Sequence, residues 1–133
     1  MKNIYSEALA FAARKHVGHK RTNGDNYIIH PIRVSQEVKT ETQKVIALLH
    51  DTMEDTDTTF SELFNLFGGE VADAVECLTR RKGESNEDYI ERVKTNPDAV
   101  AVKIADICDN LSDFPSDNAI RKGAYGITEL LRV

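Results

Sequence analysis

The sequence lacks any long apolar run, since none of its hydrophobic stretches approaches the ~20 residues that a membrane-spanning helix needs. Its first residues carry dispersed charges and no small-residue cleavage site, so we expect no signal peptide. Cysteine is scarce as well, with Cys77 and Cys108 far apart and each in apolar surroundings. We therefore expect two reduced core thiols in a cytoplasmic protein, and no structural disulfide.

An excess of positive charge is also missing. Seventeen Lys and Arg residues face 22 Asp and Glu residues, for a net charge of −5, which argues against nucleic acid as a partner. Residues 14–21 nevertheless concentrate four Lys or Arg side chains and two histidines. This basic segment is either a solvated helix end, where cations suit the helix dipole, or a local site for an anionic ligand.

Helical periodicity dominates what is present, and no stretch alternates with period two for long enough to predict a sheet. The length of 133 residues suits one domain, which we place at 1–133. We predict an all-α fold of about seven helices joined by short loops. Three of the predicted helices matter for the chemistry below, and they run from Pro31 to about Lys39, from Glu41 to about Glu54, and over residues 97–114.

The most informative segment is ALLHDTMEDT, residues 47–56, in which His50 and Asp51 follow a buried apolar run. Glu54 and Asp55 come four residues later, so each is expected to share a helix face with its earlier partner. Because a buried charge needs a partner or a metal ion, this pattern suggests a polar site set into the core. The alternative is a helix end reaching solvent, although acids there cost about 0.3–1 kcal/mol each.

Two distant segments also place ionisable side chains among apolar neighbours. His30 lies between Ile29 and Pro31, and Asp106 interrupts the apolar stripe of the helix over 97–114. An aspartate in that setting needs a cation or several donors, which Lys103, a histidine or a metal ion could supply. Two imidazoles and two carboxylates together form a mixed donor set that suits Mn²⁺, Fe²⁺, Zn²⁺ or Ni²⁺ better than Ca²⁺.

The order His30, His50-Asp51, Asp106 resembles the ligand pattern of the HD superfamily. Four segments are similar to successive motifs of the alarmone-hydrolase domain: RTNGDNYIIHP, ALLHDTMEDTDTTFSELFNLFG, VADAVECLT and VKIADICDNL. That domain occurs in long RelA/SpoT-type stringent-response proteins and alone in small alarmone hydrolases. The resemblance covers about residues 5–114 and implies an HD-type helical bundle. It also implies hydrolysis of the 3′-diphosphate of guanosine tetra- or pentaphosphate to pyrophosphate and GDP or GTP.

The resemblance implies that four side chains ligate one metal ion, Mn²⁺ in most members: His30, His50, Asp51 and Asp106. Glu54 and Asp55 match the acidic pair that generates or places the attacking hydroxide. This assignment is chemically reasonable, because a divalent metal lowers the pKa of a water and polarises a phosphoryl oxygen, while a nearby carboxylate accepts the proton.

Substrate-binding residues follow from the same resemblance. Arg21 matches a loop arginine that packs against the guanine, a role suited to a planar guanidinium. Asn110 matches an asparagine that helps to bind the nucleotide, and we add Lys20 and Tyr27 as candidate substrate-binding residues. The implied partner is a small anionic nucleotide, with no nucleic acid or membrane partner.

The sequence departs from the family pattern around the substrate. Asn26 stands where a proline is usual, and Thr22 and Ile107 stand where basic residues are common. Two alternatives therefore stay open: a phosphohydrolase of another nucleotide such as NADPH, and a module that binds a nucleotide and turns it over poorly. The acidic pair argues against the second, because pure sequestration needs no carboxylates beside a metal.

Overall fold

Nine α-helices make up the regular structure of residues 3–132, the part of the chain that the computed structural model describes. Residues 1, 2 and 133 of the predicted domain lie outside the described residues. The prediction of an all-α fold is confirmed, and the only strand-like feature within 3–132 is one isolated bridge between Lys20 and Asn26. The helices are α1 Ile4–Lys15, α2 Ile29–Gln36, α3 Glu41–Leu49, α4 Thr52–Asp55, α5 Phe60–Phe67, α6 Gly69–Cys77, α7 Asn86–Val93, α8 Pro97–Asn110 and α9 Asp117–Leu130.

Most helix starts are fixed by local side-chain caps. In six helices a side-chain oxygen of the residue before the helix accepts a hydrogen bond from the backbone N–H three residues later. Each such cap contributes about 1 kcal/mol and specifies where the helix begins. The capping residues are Asn3, Thr40, Thr59, Ser85, Asn96 and Ser116.

Helix α3 is the centre of the fold and packs against α1, α2, α6 and α8. All five of its residues from Val45 to Leu49 are buried, as expected for the apolar run of the predicted helix from Glu41 to about Glu54. Burial of a side chain such as Leu48 is worth about 1.5–3 kcal/mol. The apolar centre therefore holds α2 and α8 against the carboxyl end of α3, where the polar side chains follow.

The predicted helix from Glu41 to Glu54 is divided into two, which contributes to the larger number of helices. Helix α3 ends at Leu49, and the single turn α4 starts at Thr52. The Thr52 hydroxyl donates to the Leu49 carbonyl at 2.7 Å, and the His50 N–H bonds to the Ala47 carbonyl at 3.5 Å. Periodicity alone does not reveal this break, which separates His50 on one helix end from Glu54 on the next turn.

The two cysteines differ from the sequence-based expectation. Both are free, but only Cys77 is partly buried, and Cys108 is exposed on α8. The prediction of two core thiols is therefore wrong for Cys108, because it lines an open groove between α2 and α8, opposite Arg33 and Glu37, and not the packed core. Among the helices of residues 3–132, none has the length and hydropathy that crossing a membrane takes.

Arg92 on α7 fastens the loop that follows α6. Its guanidinium donates to the carbonyls of Glu76, Cys77 and Thr79, and it forms two 2.9 Å hydrogen bonds with the Glu84 carboxylate. We expect Arg92→Ala to lower the free energy of unfolding by about 2–3 kcal/mol, because hydrogen bonds to a charged group are lost together. Urea unfolding followed by circular dichroism measures this loss.

Arg132 provides the matched control for Arg92. It pairs with Glu129 at 2.7 Å, but its side chain is 70% exposed. Surface pairs of this kind contribute roughly 0–1 kcal/mol, so Arg132→Ala should change the stability little. If Arg92→Ala and Arg132→Ala lowered the free energy of unfolding equally, the carbonyl contacts of Arg92 would not stabilise the loop.

Candidate metal centre

Four side chains from distant parts of the chain converge where α2, the α3–α4 break and α8 meet. They form the His/Asp cluster, in which one ligand atom of each residue lies within 4.8 Å of the others: His30, His50, Asp51 and Asp106. Three of the four are buried, and Asp51 is partly exposed. The structure thus brings together the four residues that the sequence singled out, and the cluster is consistent with a divalent metal site.

The distances within the cluster suit a common central ion. His30 Nε2 lies 2.8 Å from Asp106 Oδ1, and His50 Nε2 lies 3.1 Å from the same oxygen. Asp51 Oδ2 is 3.1 Å from His50 Nε2 and 3.8 Å from His30 Nε2. Ligand atoms that each stand about 2.1 Å from one metal ion lie roughly 3 Å apart, so this donor set passes a simple geometric test.

The outer ring nitrogens of both histidines are held by acceptors. His50 Nδ1 lies 2.6 Å from the Ala47 carbonyl oxygen, and His30 Nδ1 lies 2.6 Å from Asp109 Oδ2. Because each partner is an acceptor, each of these contacts favours the neutral tautomer with the proton on Nδ1, in which the lone pair of Nε2 points toward the cluster. This is the tautomer that metal coordination through Nε2 requires.

Asp106 has partners on both carboxylate oxygens. Lys103 Nζ lies 2.9 Å from Oδ2, while the two histidines and the Asn110 amide face Oδ1. Burial alone would raise the pKa of Asp106, but Lys103 and His50 outweigh it and hold the pKa well below its usual range. Both partners considered from the sequence, the lysine and a histidine, are therefore present.

The cluster also favours positive charge at its centre. Burial would lower the pKa of His50, yet the carboxylates of Asp51 and Asp106 outweigh burial and raise the pKa well above its usual value. The pKa of Asp51 is lowered, because its contact with His50 outweighs its burial. Two ionised carboxylates in a buried site need a cation, which a proton on His50 or a metal ion supplies.

Glu54 and Asp55 occupy the single turn α4 directly after the cluster, and both are exposed. Glu54 Oε1 accepts a hydrogen bond from the Arg80 backbone N–H at 2.9 Å. Partial desolvation of the Asp55 carboxyl group on its side toward the protein, followed by the charges of Asp51 and Glu54, raises its pKa to about 6. A carboxyl group with a pKa near neutrality suits proton transfer at physiological pH.

The predicted substrate-binding residues have different surroundings. The Tyr27 hydroxyl donates a hydrogen bond to Asp51 Oδ2, so Tyr27 contacts the cluster itself. Burial raises the pKa of the Tyr27 hydroxyl. The Asn110 amide donates to Asp106 Oδ1 at 3.1 Å. Lys20 is exposed and donates to Asn26 at 2.6 Å, within the 20–26 bridge.

Arg21 reaches the edge of the cluster, but its guanidinium is already bonded within the protein. It donates to Asp109 at 2.5 Å, to Asp113 at 3.3 Å and to Asn110 at 3.3 Å, and its side chain is only 4% exposed. Lys15 likewise pairs with an acid, Asp57, at 2.8 Å. Two of the four Lys and Arg side chains of the basic segment 14–21 are thus compensated by acids of the fold.

Sequence reasoning missed two residues beside the cluster. Asp109 is a buried carboxylate three residues after Asp106, and that spacing could have placed both on one face of α8. His16 is buried with its ring 4.8 Å from that of Tyr27, and burial lowers its pKa to about 4. Its Nε2 is the one buried side-chain nitrogen or oxygen within 3–132 that lacks a hydrogen-bond partner.

A pocket of about 170 Å³ opens beside the cluster, between α7, α8 and α9. We call it the α7–α9 pocket. Arg80, Lys103 and Lys122 line it, together with Asn110. Because Lys103 and Asn110 also contact Asp106, the pocket adjoins the cluster and presents cationic side chains next to it.

Comparisons with known proteins agree with this geometry. A family model of the HD domain matches residues 8–119. The chain is 40% identical over 116 residues to guanosine-3′,5′-bis(diphosphate) 3′-pyrophosphohydrolase of Aquifex aeolicus, covering 78% of this chain and 17% of that protein. It is 42% identical over 124 residues to the protein of the same activity name in Danio rerio, covering 84% of this chain and 69% of that one.

Solved structures give the same result for the fold. A metazoan relative of SpoT, described as hydrolysing ppGpp, superimposes with a TM-score of 0.88 at 28% identity and covers 98% of this chain and 87% of its own. A Listeria monocytogenes protein superimposes with a TM-score of 0.66 at 29% identity over 81% of this chain and 82% of its own. These findings confirm the predicted resemblance and the HD-type helical fold.

Proposed function

The chain belongs to the HD-domain family, and from that premise we propose that it is a metal-dependent phosphohydrolase that removes the 3′-diphosphate of guanosine tetra- and pentaphosphate. The observation that carries the proposal is the His/Asp cluster with an acidic pair one turn away. The pyrophosphohydrolases of Aquifex aeolicus and Danio rerio, each at least 40% identical to the chain, support the choice of substrate.

The cluster residues would hold one divalent metal ion, for which we propose Mn²⁺, the ion that the family resemblance implies and that two imidazoles and two carboxylates can bind. When bound, the ion supplies Lewis acidity that activates water and offsets charge on the phosphoryl oxygens. The protein keeps the four donor atoms within 4.8 Å of one another. It also fixes both histidines through hydrogen bonds at Nδ1.

The acidic pair would manage the proton of the attacking water. Asp55, whose pKa is raised to about 6, accepts that proton on a carboxylate oxygen. The water oxygen forms a bond to the phosphorus attached to the ribose 3′-oxygen, the bond between that phosphorus and the 3′-oxygen breaks, and the 3′-oxygen takes up a proton. Glu54 accepts a hydrogen bond from the Arg80 backbone N–H at 2.9 Å. Because Arg80 also lines the α7–α9 pocket, this bond connects the acidic pair to that pocket.

The α7–α9 pocket supports an anionic substrate. Its three cationic side chains lie beside Asp106, although the protein as a whole has a net charge of −5. Its volume of about 170 Å³ is below the roughly 300–1,000 Å³ of sites that enclose whole small ligands. We therefore assign it to one phosphate-bearing end of the nucleotide.

A second candidate substrate comes from the surroundings of Arg21. Its buried guanidinium already contacts three protein acceptors, so a guanine base lacks the arginine partner that the family resemblance implies. A phosphohydrolase of another nucleotide, such as NADPH, uses the same cluster without that contact. The residues of the cluster and the acidic pair serve either substrate.

A substrate panel tests the proposal. The protein with Mn²⁺ is incubated with guanosine tetraphosphate, NADPH and p-nitrophenyl phosphate, and released pyrophosphate and phosphate are measured. We expect pyrophosphate from guanosine tetraphosphate alone, and none after chelation of the metal. Phosphate from NADPH alone would favour the second candidate. Tight binding of guanosine tetraphosphate without turnover would make the protein a nucleotide-binding module instead.

A further inference from the structure

Asp109 on α8 joins the His/Asp cluster to two arginines. We infer that Asp109 is a positioning residue that fixes His30 for metal coordination, and that Arg21 acts through Asp109 instead of on the nucleobase. The inference rests on the proposed metal site and goes beyond it by adding two residues to its support. Asp109 and the His30 ring are both buried, and Asp109 Oδ2 lies 2.6 Å from His30 Nδ1.

The two ring nitrogens of His30 face two different carboxylates. Nδ1 faces Asp109 Oδ2 at 2.6 Å, and Nε2 faces Asp106 Oδ1 at 2.8 Å. A neutral imidazole has one N–H, so the two carboxylates compete for it. If the proton is on Nδ1, the lone pair of Nε2 is available to a metal ion, and Asp109 is the acceptor that stabilises this tautomer. Without Asp109, a hydrogen bond from Nε2 to Asp106 would occupy the coordinating nitrogen.

Asp109 stays an ionised acceptor because arginines contact both of its oxygens. Arg21 reaches Oδ2 at 2.5 Å, and Arg33 Nε reaches Oδ1 at 2.8 Å. Charge-assisted bonds of this kind keep a buried carboxylate ionised and fix its orientation. Oδ2 is shared by Arg21 and His30, so the position of the guanidinium sets the position of the imidazole.

The loop that carries Arg21 is itself anchored to α8. Asp113 accepts from the backbone N–H of Thr22 at 3.1 Å and of Asn23 at 2.8 Å, and from Arg21 Nε at 3.3 Å. The side chain of Arg21 is 4% exposed, which leaves it almost no surface for stacking on a base. The contacts therefore connect Arg21 to the metal site.

The wild-type protein provides the first test, which needs no variant. Long-range ¹H–¹⁵N spectra of the metal-free protein report which nitrogen of each histidine carries the proton. We expect His30 in the Nδ1–H form. Observation of the Nε2–H form would overturn the inference, because Asp109 would then not control the tautomer.

Asp109→Asn and Asp113→Asn form a matched pair for the second test. Both remove a carboxylate that bonds to Arg21, but only Asp109 contacts His30. We expect Asp109→Asn to weaken Mn²⁺ binding by about 10–100-fold, as replacement of an outer-shell partner does, and to move the His30 proton to Nε2. Asp113→Asn loosens the Arg21 loop but keeps the contact between Asp109 and His30, so it should weaken Mn²⁺ binding less than Asp109→Asn does and leave the His30 proton on Nδ1. Mn²⁺ affinity is read by electron paramagnetic resonance, without any substrate.

Arg21→Gln distinguishes two possible roles of the arginine, support of Asp109 and contact with the nucleobase. If Arg21 acts through Asp109, the variant binds Mn²⁺ more weakly and its KM for the nucleotide, measured at saturating Mn²⁺, stays the same. A raised KM with unchanged Mn²⁺ affinity would instead assign Arg21 to the nucleobase and overturn that half of the inference. A protein that binds Mn²⁺ as expected but hydrolyses no alarmone would refute the proposed function and leave this inference intact.

Discussion

Asp51→Ala is expected to abolish metal binding and turnover together. Asp51 contributes one of the two carboxylates of the cluster, with Oδ2 3.1 Å from His50 Nε2. Loss of a direct ligand should exceed the roughly 10–100-fold effect of replacing an outer-shell partner. Asp51 is a better choice than Asp106, because removal of Asp106 would also leave the partly buried Lys103 without its anion.

Metal content measured by mass spectrometry, together with pyrophosphate release, tests this result. Asp57→Ala is the control, since Asp57 is also an aspartate near α4 but its side chain is 88% exposed and pairs with Lys15. The control should keep its metal and its activity. Unchanged metal content and turnover in Asp51→Ala would show that the assignment of the metal site is wrong.

The second large effect concerns the acidic pair. We expect Glu54→Gln and Asp55→Asn each to retain the metal and to lose turnover by about 10²–10⁴-fold, the range for general acid–base groups. In Glu54→Gln the new side chain would still offer a carbonyl oxygen to the Arg80 amide that Glu54 holds at 2.9 Å, so the loop keeps its anchor. What both variants lose is a carboxylate that can accept a proton.

Measurements of kcat and of Mn²⁺ affinity on the same preparations distinguish the possible roles. Glu91→Gln serves as the control, because Glu91 is a 60% exposed acid on α7 that pairs with nearby Lys94. Loss of metal from Glu54→Gln would make Glu54 a ligand. Full activity in Asp55→Asn would exclude Asp55 as the proton acceptor.

The pH dependence offers a further check on Asp55. Partial desolvation and the charges of Asp51 and Glu54 raise its pKa to about 6, so the carboxylate form that accepts a proton is lost as the pH falls through that value. A bound divalent cation lowers this pKa and moves the decline in kcat to lower pH. In Asp55→Asn this acid limb should be absent from the residual activity.

Much of the fold and of the cluster could be predicted from the sequence. Caps such as Asn96 and Ser116 specify helix starts through contacts with residues three positions away, so they are visible in the local sequence. The chemical types of the four cluster residues, and their similarity to known motifs, indicated a mixed nitrogen and oxygen donor set. The break between α3 and α4 was missed, because it depends on the hydrogen bonds of Thr52 and His50 and not on hydrophobic periodicity.

By itself, then, the sequence determined the helical class and the identities of His30, His50, Asp51 and Asp106 as a candidate metal set. Only the tertiary structure decided which groups support that set. It places Asp109 between Arg21, 88 positions away in the sequence, and His30, 79 positions away. The reason is physical: periodicity and capping are local, whereas the pairing of buried charges depends on which helix faces pack together. Arg21 thus belongs to the support of His30, although its motif resembles one that binds a base.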